Sequence, residues 1–321
     1  MKAMRIHELG QPLQMDEIDP PQPGPGEVLL DVAACGINFA DTLMVQGRYQ
    51  EKPPLPFSPG LEVCGRVAEL GAGVTHLAQG QIVAGFTSGG GLAEQVCVRA
   101  GACVPVPAGM DPVEVAAFPV AYGTSDIALE LANLSAGETL LVTGASGGVG
   151  LTAVEIGKIR GATVIAAARG AEKLAVAKAA GADHLIDTRD ADLTAEVKDR
   201  GGADVIYDPV GGDLFTAAMK AARPRARLIP IGFASGDVPQ IPANILLVKN
   251  LSVIGLYWGG LARSHPDMIR DSFARLLGWY GAGKLHPHVS HVLPLDQAND
   301  ALALLSERRS TGKVVVRMAP D

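Results

Sequence analysis

The stretch Thr139-Leu140-Leu141-Val142-Thr143-Gly144-Ala145-Ser146-Gly147-Gly148-Val149-Gly150 decides the fold. Its first five residues are apolar or β-branched, the composition of a parallel strand buried on both faces. Glycine-rich sequence follows, then Leu151, Val154, Ile156 and Ile159 with few polar residues between them. The pattern reads as strand, tight turn and helix start. Backbone N–H groups at such a helix start, together with its dipole, bind an anion. Ala145 to Gly150 fits G-x-G-x-x-G/A loosely, with alanine at the first glycine position and Gly144 just before it. Gly147 lets the backbone approach a pyrophosphate, and Gly150 lets the helix pack closely on the strand. Glycine also serves ordinary tight turns. The flanking strand and helix favour a dinucleotide site, with Ala145, Ser146, Gly147, Gly148 and Val149 as cofactor contacts.

Outward from this turn the chain alternates. A helical pattern over residues 121–134 precedes it, with Thr124 and Ser125 early in it. Strands are expected at 163–168, 184–187, 203–207 and 227–231, with helices at 171–180, 193–199 and 213–222 between them. Such alternation means βαβ units and a doubly wound parallel sheet, an α/β fold. Residues 251–255 read as one more strand, 267–280 and 294–306 as helices, and 313–317 as a last β-branched strand. Before about residue 117 the texture differs. Short strands at 27–36, 60–69, 81–85 and 94–98, punctuated by Gly and Pro, suggest a small barrel-like β domain.

Composition limits the possible partners. A net charge of −7 argues against a nucleic-acid surface or an anionic membrane. No apolar run approaches the ~18 residues of a membrane span. The start, Met1 to Glu8, shows no apolar signal region, so a cytoplasmic location is expected. The four cysteines, Cys35, Cys64, Cys97 and Cys103, form no C-x-x-C and read as core residues. His286-Pro287-His288-Val289-Ser290-His291 invites a metal reading, with His286 and His288 on one face of a strand. No cysteine or carboxylate stands nearby in sequence, and no metal is expected there.

In a dinucleotide fold a carboxylate at the end of the second strand, ~20 residues past the glycines, binds the ribose 2′-hydroxyl. Here that strand ends Ala166-Ala167-Ala168-Arg169-Gly170, and Lys173 follows. Arginine pairs with a 2′-phosphate that aspartate would repel. Arg169 and Lys173 therefore favour NADPH over NADH. As plain surface charges they would carry no such meaning, and Glu172 keeps NADH open.

Residues spread along the chain carry a family resemblance. They are Gly36-Ile37-Asn38-Phe39-Ala40-Asp41, Gly47-Arg48-Tyr49, Pro59-Gly60-Leu61-Glu62-Val63-Cys64-Gly65-Arg66-Val67, Gly144 to Gly150, and Thr311-Gly312-Lys313-Val314-Val315-Val316. With them the chain resembles the zinc-free quinone oxidoreductases, the group of zeta-crystallin, within the medium-chain dehydrogenase/reductase superfamily. The resemblance implies a Rossmann domain inserted into a GroES-like β domain. The expected boundaries are 1–117 for the GroES-like part, 118–260 for the Rossmann domain and 261–321 for the return. It also implies a homodimer.

Zinc members of the superfamily use a cysteine after C-G-I and a histidine in G-H-E. Asn38 and Leu61 stand at those places, and neither suits zinc. An acceptor that needs no Lewis acid is implied, a quinone or an alkene conjugated to a carbonyl. The function expected is reduction of quinones by NADPH, through metal-free hydride transfer in the interdomain cleft. The alternatives are an enone or enoyl-thioester reductase, and an NADPH-binding protein without catalysis.

Asn38 and Tyr49 are the candidate catalytic residues, an amide N–H and a hydroxyl for charge developing on the acceptor oxygen. Asn38 could equally orient the cofactor carboxamide or cap a helix starting near Phe39. Tyr49 reads equally as a packed loop aromatic. Asp41 reads as a helix-start carboxylate. Thr124 resembles a threonine near the nicotinamide, and also reads as a local cap. Gly232 and Phe233 follow a strand at the edge where cofactors bind. Lys313 is a cofactor contact by resemblance only.

Overall fold

A computed structural model describes residues 1–107 and 109–318. It groups them into two compact units. One comprises residues 1–120, 266–277 and the described residues from Pro287 onward; the other comprises 121–265 and 278–286.

The first unit begins with a hairpin, β1 (Lys2–Arg5) and β2 (Gln14–Glu17), that the sequence did not announce. Then come β3 (Glu27–Ile37), α1 (Phe39–Val45), β4 (Glu62–Leu70), β5 (Ile82–Phe86), β6 (Gln95–Arg99), β7 (Cys103–Pro105) and the short α2 (Pro112–Ala116). The long β3 organises the sheet. Val28, Leu30 and Val32 point into the core while Asp31 faces out, the period of two of a strand with one wet face. Its first half pairs with β6, and β4 runs along its other side with two register shifts.

The second unit opens with α3 (Pro119–Leu131), whose first two residues still count with the first unit. It continues β8 (Thr139–Thr143), α4 (Gly148–Ile159), β9 (Thr163–Ala168), α5 (Ala171–Ala179), β10 (His184–Asp187), α6 (Leu193–Asp199), β11 (Ala203–Asp208), α7 (Gly212–Ala221) and β12 (Ala222–Pro230). The helices α8 (Ala243–Lys249) and α9 (Trp258–Ser264) flank the two-residue β13 (Ser252–Val253). All six strands are parallel in the order β10-β9-β8-β11-β12-β13, the doubly wound order that reverses between β8 and β11. Every residue of β8 is buried, as its apolar run requires.

The chain returns through α10 (Pro266–Gly281), β14 (Val289–Pro294), α11 (Ala298–Ser306) and β15 (Lys313–Arg317). β15 docks on the second half of β3, and β14 pairs with β15. The expected helix 294–306 starts later, because Pro294 ends β14 and a 3₁₀ turn, Leu295–Gln297, intervenes. β12 begins five residues before the predicted Arg227, accommodating Arg225 at φ 68°. β14 begins at Val289, so His286 and His288 lie outside any strand and do not share a strand face. The His288 ring instead meets the Thr311 hydroxyl at 3.0 Å, and the His291 ring meets that of Ser290 at 2.9 Å.

Candidate functional site

In the second unit, the C-terminal ends of the parallel strands carry most of the predicted cofactor residues, Thr124 and Lys313 excepted. Gly144 leaves β8 at φ 55°, a left-handed turn that a side chain would strain. A Cβ on Gly150 would strike the Gly144 carbonyl oxygen and the Ala145 backbone, so close packing of α4 demands glycine. Gly147 differs. A Cβ there would meet only the Gly144 oxygen, at 3.4 Å, so the protein's own packing does not require glycine. Gly147 is the N-cap of α4, and no side chain caps that helix start. A bare helix N-terminus beside an unfilled Cβ position fits a pyrophosphate. Ala145 and Ser146 are buried within the turn, while Gly148 and Val149 open α4.

Two buried carboxyls to which the sequence assigns no role tie the elements of this unit together. Asp208, at the end of β11, accepts hydrogen bonds from the Thr143 hydroxyl and the Gly211 N–H, the latter at 2.8 Å. Burial pushes its carboxyl up, and those donors oppose the shift. Glu155, midway along α4, accepts the Tyr122 hydroxyl at 2.6 Å and the His286 N–H at 2.9 Å. Its carboxyl is also raised by burial. Neither residue stands in a motif; each is an acidic residue inside an apolar run, the one signal available.

Gly232 and Phe233 follow β12 in a loop tied to its neighbour, with Ala234 N–H donating to the Pro209 oxygen and Ser235 N–H to the Val210 oxygen. Thr124 is buried at the sixth position of α3, too far in to cap it. The next residue, Ser125, donates to the Val149 oxygen at 3.0 Å and bonds the Thr152 and Tyr207 hydroxyls. This network holds α3 against the start of α4.

Arg169 is exposed just past β9, and Lys173 lies in the first turn of α5. The structure adds a third cation, Arg189. Its guanidinium carbon is 3.3 Å from where a Cβ on Gly170 would sit. It is bound to Asp187, whose register partner on β9 is Ala168. A carboxylate thus does stand beside the second strand, contributed by the third.

In the first unit, three neighbouring strands converge on one polar cluster. Asn38 follows β3, Glu62 opens β4, and Lys313 opens β15. The Lys313 ammonium donates to Glu62 Oε1 at 2.6 Å, Asn38 Oδ1 at 2.7 Å and the Ile37 oxygen at 2.8 Å. Asn38 Nδ2 donates to Glu62 Oε1 at 2.8 Å, and Glu62 Oε2 accepts the Val120 N–H at 2.7 Å. All three side chains are buried. Lys313, expected at the cofactor, is 5% exposed and directs its ammonium into this cluster. Asn38 is the N-cap residue of α1, but its amide bonds Glu62 and Lys313, and the reciprocal cap runs from Asp41 to the Asn38 N–H at 2.7 Å. Asp41 also accepts the Gly60 N–H at 2.9 Å, and burial raises its carboxyl to about 6. Tyr49 is half-buried in the bend after α1. Burial pushes the Cys64 and Cys103 thiols up to about 12 and raises Cys35 well above its usual value, so none supplies a thiolate. Among the described residues no group of three or more His, Cys, Asp and Glu side chains is placed to hold a metal ion, and no helix is long and apolar enough to cross a membrane.

Comparison with known proteins places this geometry in context. Residues 24–108 match the alcohol dehydrogenase GroES-like domain, and residues 148–277 match the zinc-binding dehydrogenase family. The chain is 43% identical to the quinone oxidoreductase-like protein 2 homolog of Nematostella vectensis, over 98% of this chain and 88% of that protein. Among solved structures, the quinone oxidoreductase of Thermus thermophilus, also solved in complex with NADPH, is similar at 35% identity with a TM-score of 0.87. That likeness covers 99% of this chain and 100% of the other. The Escherichia coli quinone oxidoreductase complexed with NADPH is similar at 27% identity and a TM-score of 0.93, over 99% and 100% of the two chains. The zinc in the second family's description does not fit the residues present. Leu61 offers no donor atom, Asn38 is a poor ligand, and Glu62 already holds an ammonium. With relatives and folds matching over nearly its full length, the chain belongs to the quinone oxidoreductases of the medium-chain dehydrogenase/reductase superfamily.

Proposed function

We propose that the protein is an NADPH-dependent oxidoreductase that reduces quinones by metal-free hydride transfer. NADPH, when bound, supplies the hydride. The chain's residues do the rest. The Gly144–Val149 turn and the uncapped start of α4 receive the pyrophosphate, and Gly232 and Phe233 border the same strand ends. Arg169, Lys173 and Arg189 favour the 2′-phosphate. In the first unit, Asn38 and Tyr49 are the candidate groups for positioning the acceptor and for meeting the charge that develops on its oxygen. The acceptor is a small molecule, and a homodimer remains the expectation from the family.

The observation that carries the quinone reading is the donor set around Asn38. A carboxylate already bound to an ammonium, beside an amide and a leucine, offers no Lewis acid to hold an alkoxide. An acceptor that carries its own electron-withdrawing carbonyls, such as a quinone, needs none.

Steady-state oxidation of NADPH and NADH with 1,4-benzoquinones, enones and enoyl thioesters tests this reading. Faster turnover of quinones with NADPH is expected, in protein carrying no stoichiometric zinc. Turnover of the thioester alone would overturn the quinone assignment, and activity lost on chelation of a bound zinc would overturn the metal-free step.

A further inference from the structure

The fate of the Lys313 charge is unusual. A lysine ammonium is strongly hydrated and seldom fully buried without a partner. Here its contacts are with Glu62 Oε1, Asn38 Oδ1 and the Ile37 oxygen, an acceptor for each of its protons. The three side chains close a triangle, because Asn38 Nδ2 also reaches Glu62 Oε1. The triangle fixes which way the Asn38 amide points, since the oxygen faces the ammonium and the nitrogen faces the carboxylate. It stands at Asn38 and beside Leu61, the two places that the family resemblance matches to zinc ligands in metal-dependent members.

We propose that Lys313 is a positioning residue whose buried ammonium takes over the electrostatic duty of a divalent cation: it neutralises Glu62 and locks the Asn38 amide. Glu62 is fully buried with its Oε1 2.6 Å from the Lys313 nitrogen, so the positively charged partner that a buried carboxyl calls for comes from the chain's own last strand. The ammonium is held within the first unit and so acts on the acceptor side of the reaction through Asn38, without binding the cofactor. The catalytic consequence rests on the quinone reductase reading. The structural consequence, that Lys313 and Glu62 are coupled, does not.

The test compares wild type with Lys313→Met, Glu62→Gln and the double variant. NADPH affinity is measured by quenching of protein fluorescence, turnover with 1,4-benzoquinone, and stability by urea denaturation. For Lys313→Met the NADPH Kd is expected to stay at the wild-type value while kcat falls on the order of 100-fold, the loss that a misplaced group produces. Each single variant should unfold at a lower urea midpoint than wild type. The double variant should unfold at a higher midpoint than either, because neither charge is then left buried alone. If the single variants do not fold at all, folding of the double variant is the expected result. The proposal is overturned if Lys313→Met weakens NADPH as much as it lowers kcat/KM, which would make the lysine a cofactor contact. It is equally overturned if the stability losses simply add, or if the double variant fails to fold. A wild type that binds NADPH yet reduces no quinone would defeat the proposed function alone, and the affinity and urea arms would still decide the place of Lys313.

Discussion

The guanidinium of Arg189 closes on the carboxylate of Asp187, with Nη2 2.7 Å from Oδ2 and Nε 3.2 Å from both oxygens. The side chain of Arg189, its N–H and that of Gly170 hold the Asp187 carboxyl well below the usual carboxylate range. Asp187 is therefore anionic at any working pH. Without Arg189 that charge would face a 2′-phosphate bound near Arg169. Arg189→Ala should accordingly raise the Kd for NADPH about 10-fold more than that for NADH, the worth of one charged contact. Titration calorimetry with both cofactors checks this, and equal losses would remove Arg189 from the phosphate site. Arg169→Asp should shift the ratio in the same direction.

Gly147 and Gly150 should respond oppositely to an added methyl group. Gly150→Ala forces a Cβ into the Gly144 carbonyl and should cost about 1–3 kcal/mol of stability, measured by urea denaturation. Gly147→Ala meets only ordinary contact and should leave stability near wild type while weakening NADPH. A Gly147→Ala protein that binds NADPH normally would show that the pyrophosphate does not come close to this residue.

Asp41 makes stability depend on pH. Its folded-state carboxyl lies near 6 against an ordinary 3.8, chiefly through burial. Between those values the folded protein binds more protons than the unfolded chain, so Asp41 favours folding less as pH rises. Its stabilising effect is fully present below about pH 4 and gone above about pH 6. The span corresponds to about 3 kcal/mol. Thermal melts of wild type and Asp41→Asn should show the difference between the two proteins changing across that window. A constant difference would mean the carboxyl titrates normally.

Asn38→Ala retains the main-chain cap, because Asp41 bonds the Asn38 N–H. The loss falls instead on Lys313, deprived of an acceptor, and on Glu62, deprived of a donor. Stability should drop by about 1–3 kcal/mol and kcat/KM by at least about 100-fold, no less than the loss in Lys313→Met, which acts through this amide. A normal kcat/KM with only a lower Tm would confine Asn38 to structure.

The second unit was legible in the sequence because its elements follow local rules. Apolar runs such as Leu140–Val142 and Val164–Ala168 become buried parallel strands, and glycine marks the turns between them. The hairpin β1–β2 was not, since Gln14–Glu17 is largely exposed and has no alternating apolar face. The same distinction applies to the sites. The glycine turn and Arg169 lie within one βαβ unit and can be read from spacing. Arg189 was missed because its approach to Gly170 depends on the pairing of β10 with β9. Lys313 was identified, but its partners could not be, because Asn38 lies 275 positions away and a single strand pairing brings them together.

That separation also orders the birth of the molecule. Domains emerging from a ribosome usually fold from the N-terminus onward. Here every residue of the second unit has been synthesised by His286, while the first unit still lacks β14, α11 and β15. Until β15 arrives, β3 carries an open hydrogen-bonding edge along Ala34–Ile37, and Glu62 has no ammonium to neutralise it. The inserted unit can thus be complete while the unit that began first waits for the end of the chain. A nascent chain released just short of Lys313 would expose that strand edge together with an unbalanced acid, features by which cellular quality control could tell an unfinished copy from a finished one.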